Sequence, residues 1–308
     1  MSSSTALLPN GSSKKNDHPI FLRACHSPWI NISQKCLVYL RGALAAYFLI
    51  SSLVILHYEL EILKNGWLVV YKLSNIVYGF QTLYAWVAFI WTFMHLYYPH
   101  NNDNNSSSLS GYMRKFLSPS RKNTNTNGKY LFSVFYWVIL AFPHVVTFIH
   151  WAVVVPRSQT EIPGDTIFND KLTTYFIFSK HGLNSVAALI ELFILSSIKR
   201  SDVGFSDSIS LILLNMFKPV WNHVTAIAVL LLAYVGWAAV GNSYVGKYTY
   251  FFLDHEKLGW EYYWASVAAL VVLGELFFVF VYSLTGVRES MTKKQSDDRS
   301  TGYQRLPQ

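Results

Sequence analysis

An all-α fold, an integral membrane bundle of six transmembrane helices, is what this sequence predicts. Three observations carry the prediction. Of 308 residues, 52% are hydrophobic and only 14% are charged, whereas a soluble domain carries about 25% charged residues. Six apolar runs punctuate the chain, each close to the roughly 20 residues that cross a bilayer core. The segments between the runs alternate between basic and non-basic, as they do when basic loops stay in the cytosol.

Residues 1–35 are rich in Ser, Asn and Lys and have no hydrophobic signal core. They read as a disordered cytosolic tail, with the first span acting as the insertion signal. Cys25 and Cys36 both lie before that span. Two cysteines at this spacing make neither a disulfide framework nor a zinc motif. Cys36 stands at the membrane edge, where palmitoylation is possible, but a free thiol is the expected state.

The transmembrane domain covers residues 36–287. Its spans are expected near residues 37–56, 76–98, 130–155, 172–198, 219–240 and 262–285. Arg41, at the start of the first span, is long enough to snorkel to the interface. Pro143 falls inside the third. Tyr97, Tyr98, Trp151, Trp260, Tyr262 and Tyr263 fall at span ends, the position of an aromatic belt. Two apolar pieces are too short to cross. Residues 209–217 are expected to lie flat on the membrane, and residues 248–253 to dip into the bundle or cap it. The loop at 101–128 is a low-complexity Asn/Ser segment, and residues 288–308 read as a second disordered cytosolic tail.

Lys14, Lys15, Arg23 and Lys35 precede the first span. Arg114, Lys115, Arg121, Lys122 and Lys129 follow the second, Lys199, Arg200 and Lys218 the fourth, and Arg288, Lys293, Lys294, Arg299 and Arg305 the sixth. Both termini are therefore expected in the cytosol. Glycosylation sequons at Asn10, Asn31 and Asn105 fall on that side and read as chance matches. A glycan on Asn105 would reverse the topology. The formal charge of +8 belongs to these loops and does not form the basic face of a nucleic-acid-binding module.

Lys180-His181-Gly182-Leu183-Asn184-Ser185 interrupts the fourth apolar run. Ionisable groups at depth cost about 2.5–3.5 kcal/mol each on insertion scales, so these side chains must face protein or water. On a regular helix His181, Asn184, Ser185, Ala188 and Glu191 share one face. Such a face serves either as interhelical glue or as the wall of a pocket. Thr82 and His181 each fall roughly ten residues beyond Lys72 and Lys171, at a depth of about 15 Å. If the helices are neighbours, hydroxyl and imidazole can meet as nucleophile and base. The competing role for Thr82 is a bond to the carbonyl one turn back. His144 and His150 in the third span lie on different faces, and His223 is far from His181, so no metal site is expected. Glu275 is the deepest acid, and it is expected to be either protonated or paired with Lys180, His144 or His181. Glu191 lies closer to the cytosolic end, within reach of Lys199. A proton-linked carrier centred on these two acids is a third reading.

Phe80-Gln81-Thr82-x-x-x-Trp86, His181-Gly182-Leu183-Asn184-Ser185-Val186 with Glu191, and Gly241 followed by Tyr248-x-Tyr250-x-x-Leu253-Asp254 together resemble the androgen-induced multi-pass membrane protein family and its rolling-stone-like relatives, most of all the fungal members. The resemblance covers roughly residues 37–287. For the animal androgen-induced members it implies hydrolysis of fatty-acid esters of hydroxy fatty acids, with a threonine nucleophile in the second span and a histidine in the fourth. Thr82 matches the threonine. His181 matches the first of two histidines three apart, and Asn184 stands where the second, catalytic one would be. An amide is no general base at neutral pH. The His-Gly-x-Asn form is closer to the rolling-stone-like branch, which implies no enzyme activity. The combined expectation is an endomembrane protein with an intramembrane polar pocket. Thr82, His181 and Asn184 act as nucleophile, base and oxyanion donor toward a lipid (fatty acyl) ester. His144, Ser185, Glu191 and Glu275 line the pocket. No cofactor is needed, and membrane lipids are the partners. The alternative is a non-enzymatic protein that binds lipid or protein partners.

Overall fold

The computed structural model describes residues 20–98, 116–119, 126–157, 170–200 and 209–303. Among them six helices are long and apolar enough to cross a membrane: Gln34–Ile62, Leu73–Tyr97, Asn127–Arg157, Lys171–Leu195, Trp221–Val245 and Trp260–Thr292. They are called the first to the sixth helix below. The described residues contain no strand, and the all-α bundle follows from what lipid demands: each spanning segment must satisfy its own backbone polar groups.

The third helix is the axis of the bundle. Every residue from Tyr136 to Val146 is buried, Pro143 included, as expected of a helix that is apolar all round. The second, fourth, fifth and sixth helices pack around it, and the first lies against the second. Tyr84, Trp137, Leu192, Leu231 and Phe278 join one large core, and Phe48, Tyr58, Tyr78 and Phe176 form a smaller one between the first, second and fourth helices. Close approach is needed where the fifth helix meets the segment Gly66–Tyr71. A Cβ on Gly241 would overlap the base of the Tyr71 ring, and Trp237 donates to the Val70 carbonyl at 3.0 Å.

Three expectations change. Residues 209–217 do not lie apart from the fifth span: Ile209–Val245 is one continuous helix, which carries Pro219 within it. Residues 20–33 are not a free tail. Ala24 and Cys25 are buried, Ser27 donates to the Ile194 carbonyl at 2.7 Å, and Trp29 donates to that of Phe193 at 2.5 Å. The polar tail after residue 287 opens as a continuation of the sixth helix, which runs to Tyr303. Residues 1–19, 99–115 and 304–308, which hold the rest of the expected tails and most of the Asn/Ser loop, lie outside the described residues.

The docking of residues 20–33 and the fate of Arg41 have one cause. The last carbonyls of any helix lack intrahelical donors. Those of the fourth helix are buried in the bundle, so other elements must supply the donors. Arg41 does not snorkel. It is buried, with Nη2 donating to the Leu195 carbonyl at 2.9 Å and to Glu191 Oε1 at 3.2 Å. Tyr84 donates to the same Glu191 oxygen at 2.6 Å, so Glu191 pairs with Arg41 rather than with Lys199. Arg288 from the sixth helix donates to the carbonyls of Leu192 at 2.9 Å and Ser196 at 2.6 Å, and also to that of Ile198.

Candidate functional site

The polar face drawn for the fourth helix assumes regular α-geometry, and the helix does not keep it. Ser179–Leu183 is a π-turn, and His181 leaves the helical region, with φ −121° and ψ 15°. A second π-turn closes the helix at Glu191–Leu195. π-Turns widen the ladder and re-aim side chains, and they recur at functional sites. Two carbonyls around the first turn are taken by neighbouring helices. Trp151 Nε1 donates to that of His181 at 2.7 Å, and Gln81 Nε2 to that of Asn184 at 2.9 Å.

The polar residues are consequently divided among separate contacts. Asn184 Oδ1 accepts from Thr147 Oγ1 at 3.2 Å, and the Thr147 and Ser185 hydroxyls are 2.6 Å apart. This is interhelical glue between the third and fourth helices. Glu191 belongs to the Arg41 and Tyr84 cluster. His144 is buried and stacks on Phe277, ring centroids 5.8 Å apart. Both Glu275 oxygens are without a hydrogen-bond partner among the described residues, so the expected pairing with Lys180, His144 or His181 does not form. His223 bonds Ser133 at 2.9 Å. The described residues contain no group of three or more His, Cys, Asp or Glu arranged to hold a metal.

Thr82 and His181 stand within about a turn of each other in depth, because Gln81 is level with Asn184. Their orientations differ. One residue is 100° of helix, so Gln81 faces the fourth helix while Thr82 faces the first. The Thr82 hydroxyl lies 2.8 Å from Ser52 Oγ and donates to the Tyr78 carbonyl at 2.8 Å, the backbone role that threonine commonly takes in membrane helices. His181 instead stacks on His150 of the third helix, centroids 3.8 Å apart and planes 7° from parallel. The hydrogen bonds of Thr82 therefore run to neither member of the expected dyad or triad. Thr82→Ala is expected to lower stability by about 1 kcal/mol and to leave ligand binding in the cavity described next unchanged, as thermal unfolding and a binding isotherm would report.

A cavity of about 520 Å³ does contain His181. It opens at one end of the bundle, between the third and fourth helices and the segment 246–257. Its walls have two characters. Val146, Ile149, Val154, Phe176, Ile177 and Phe251 are apolar, whereas Lys72, His150, Lys180 and His181 are cationic or hydrogen-bonding. Thr82, Asn184 and the four expected lining residues His144, Ser185, Glu191 and Glu275 are not on these walls. The short apolar piece near residue 250 caps the opening, with Phe251–Leu253 forming a 3-10 turn and Leu253 buried. At the rim the exposed Lys257 pairs with Asp254 at 3.2 Å. Partial burial, with the Glu256 and Asp254 carboxylates nearby, pushes the Tyr248 phenol above its ordinary range.

Behind the cationic wall lies a charge cluster that sequence reasoning missed. Glu59, in the last turn of the first helix, is fully buried and accepts from Lys72 at 2.9 Å, from Lys180, and from Asn65 at 2.6 Å. Lys72 and Lys180 are themselves buried. The signal available was Glu59, followed two residues later by Glu61, at the end of the first apolar run. Beside this cluster, His150 Nε2 and His181 Nδ1 are buried and have no hydrogen-bond partner among the described residues. Such atoms carry a desolvation penalty of about 1–3 kcal/mol each. In comparisons with protein-family models, with curated proteins and with solved structures, nothing matches.

Proposed function

We propose that this chain is a multi-pass endomembrane protein that binds a lipid-derived amphiphile in the cavity beside His150 and His181, and that binding rather than hydrolysis through Thr82 is its activity. The observation that carries the reading is the two-sided wall of that cavity. An apolar flank from the third and fourth helices faces the lysine and histidine side chains of the second, third and fourth. A volume of about 520 Å³ is within the roughly 300–1,000 Å³ range of small-molecule sites. It accommodates a polar head and the first part of a chain, with the remainder lying along the lipid-facing surface.

Hydrolysis of a fatty acyl ester, which likeness to the animal androgen-induced members would imply, needs a base within about 3 Å of the nucleophile. The neighbours bonded to Thr82 are a hydroxyl and a backbone carbonyl, and neither takes up a proton at neutral pH. The His-Gly-x-Asn form of the fourth helix, closer to the rolling-stone-like branch, favours the non-enzymatic reading as well. Both termini are assigned to the cytosol, with the cavity opening on the opposite, luminal side of the endoplasmic reticulum. The alternation of basic segments supports that assignment.

The test fills the cavity. Val154 is on its wall and half-buried, so Val154→Trp occupies space without disturbing the charge cluster. Native mass spectrometry of wild-type protein released from mild detergent is expected to retain a bound lipid, and the variant to lose at least tenfold of that population. Equal retention in both would contradict the reading.

A further inference from the structure

We infer that the cationic wall of this cavity is a phosphate-recognition site, taking the phosphate of a lipid headgroup or free phosphate. The inference rests on the reading of the cavity as a ligand site and specifies what its polar end holds.

Three observations converge. The wall gathers hydrogen-bond donors from three separate helices: Lys72 from the start of the second, His150 from the third, and Lys180 and His181 from the fourth. At the mouth stand exposed Lys247 and Lys257, with Lys257 paired to Asp254 and the carboxylate of Glu256 beside them, so the donors that can meet an anion are those of the inner wall and Lys247. A tetrahedral anion with several acceptor oxygens uses donors that converge from different directions, whereas a planar carboxylate uses fewer. Secondly, His150 Nε2 and His181 Nδ1 are buried without partners. A neutral imidazole has one N–H to donate, and both rings are held in place by their parallel stack and by the 5.1 Å contact between Trp151 and His150. Both rings line the cavity, and an acceptor seated there supplies the missing partner once a ring turns one of these shielded nitrogens toward it. Thirdly, Glu59 lies in the last turn of the first helix and Lys72 immediately before the second. The cavity is therefore reached from the end of the bundle, the side on which the phosphates of a bilayer leaflet reside, and runs inward to Lys180 and His181. A cation is the poorer fit. Two parallel stacked imidazoles do not aim their lone pairs at one point, and ammonium groups line the same wall.

Lys180 and Lys72 are unsuitable first targets because both hold Glu59. The informative variant is the double substitution His150→Phe with His181→Phe, which keeps two stacking rings and removes every ring N–H. Purified full-length protein in uncharged detergent would be titrated with oleoyl lysophosphatidic acid, with its uncharged counterpart monooleoylglycerol, and with oleate. Wild type is expected to bind the phosphate-bearing lipid at least tenfold tighter than either other probe. The double variant is expected to lose that preference, its affinity for the phosphate-bearing lipid falling at least tenfold relative to wild type. Competition by inorganic phosphate separates the sources: displacement at millimolar concentration assigns the site to phosphate itself, and no displacement assigns it to the lipid-borne group. Equal binding of the three lipids overturns the phosphate site and leaves the cavity reading standing. Binding of none overturns both. Oleate binding as tightly as lysophosphatidic acid, or an unchanged preference in the folded double variant, overturns the phosphate assignment alone. Folding of the variant is read independently from its elution profile and unfolding midpoint.

Discussion

Glu59→Gln is expected to destabilise the protein by about 3–5 kcal/mol, the cost of removing one partner from a buried ion cluster. For a chain of this size that is about 10 °C in the unfolding midpoint. The carboxylate is fully buried and accepts from two ammonium groups, Lys72 and Lys180, both nearly inaccessible. The amide that replaces it is neutral and leaves both cations facing one another in a low-dielectric site. The control distinguishes charge from packing. Removing the whole cluster, Glu59→Leu with Lys72→Met and Lys180→Met, eliminates the desolvation cost along with the attraction. It should recover most of the loss in thermal unfolding. A single Glu59→Gln variant as stable as wild type would show that the cluster does not hold the end of the bundle together.

The second large effect is expected at the opposite end. Arg288 is 1% exposed and donates to three backbone carbonyls where the fourth helix ends. Hydrogen bonds from a charged donor contribute about 1.5–3 kcal/mol each, and a buried acceptor left bare costs about 1–3 kcal/mol. Arg288→Ala should therefore cost on the order of 4 kcal/mol. Arg288→Lys should recover only part of it, since an ammonium lacks the planar fork that spans several acceptors. Denaturation followed by tryptophan fluorescence is a suitable readout, because Trp29 is anchored on the Phe193 carbonyl beside this site. If Arg288→Lys restores full stability, the fork geometry is not what matters.

Much of the fold was legible because lipid imposes a simple length rule. Apolar runs near residues 37–56 and 172–198 correspond to Gln34–Ile62 and Lys171–Leu195, with ends displaced by a few residues. The displaced ends follow from tertiary contacts. Ser33 caps the first helix by accepting from Cys36 N, which starts it earlier than hydropathy alone suggests. What periodicity could not reveal was the π-turn at Ser179–Leu183. A single extra residue in the ladder leaves no pattern in the sequence, yet it separates His181 from Asn184 and Ser185. Gln81 meets the Asn184 carbonyl, so Thr82 and His181 do stand at similar levels of the bundle, but level does not determine which way a side chain faces. The Glu59 cluster was missed because its members are 13 and 121 residues apart. Arg41 was read as snorkelling because it stands close to a span end. The buried carbonyls that retain it belong to residue 195, on another helix.

The polar residues of the second and fourth helices belong to different places: His181 lines an open cavity, and Thr82 sits in a helix–helix contact with Ser52. Cysteine accessibility tests this directly. In a Cys36→Ser background, which leaves the buried Cys25 as the remaining native thiol, His181→Cys and Thr82→Cys would each be exposed to a membrane-impermeant maleimide in detergent. Residue 181 is expected to be modified at least tenfold faster than residue 82, and the Val154→Trp substitution to protect it. Equal modification of both positions, with both protected by Val154→Trp, would place them in one cavity and contradict the account.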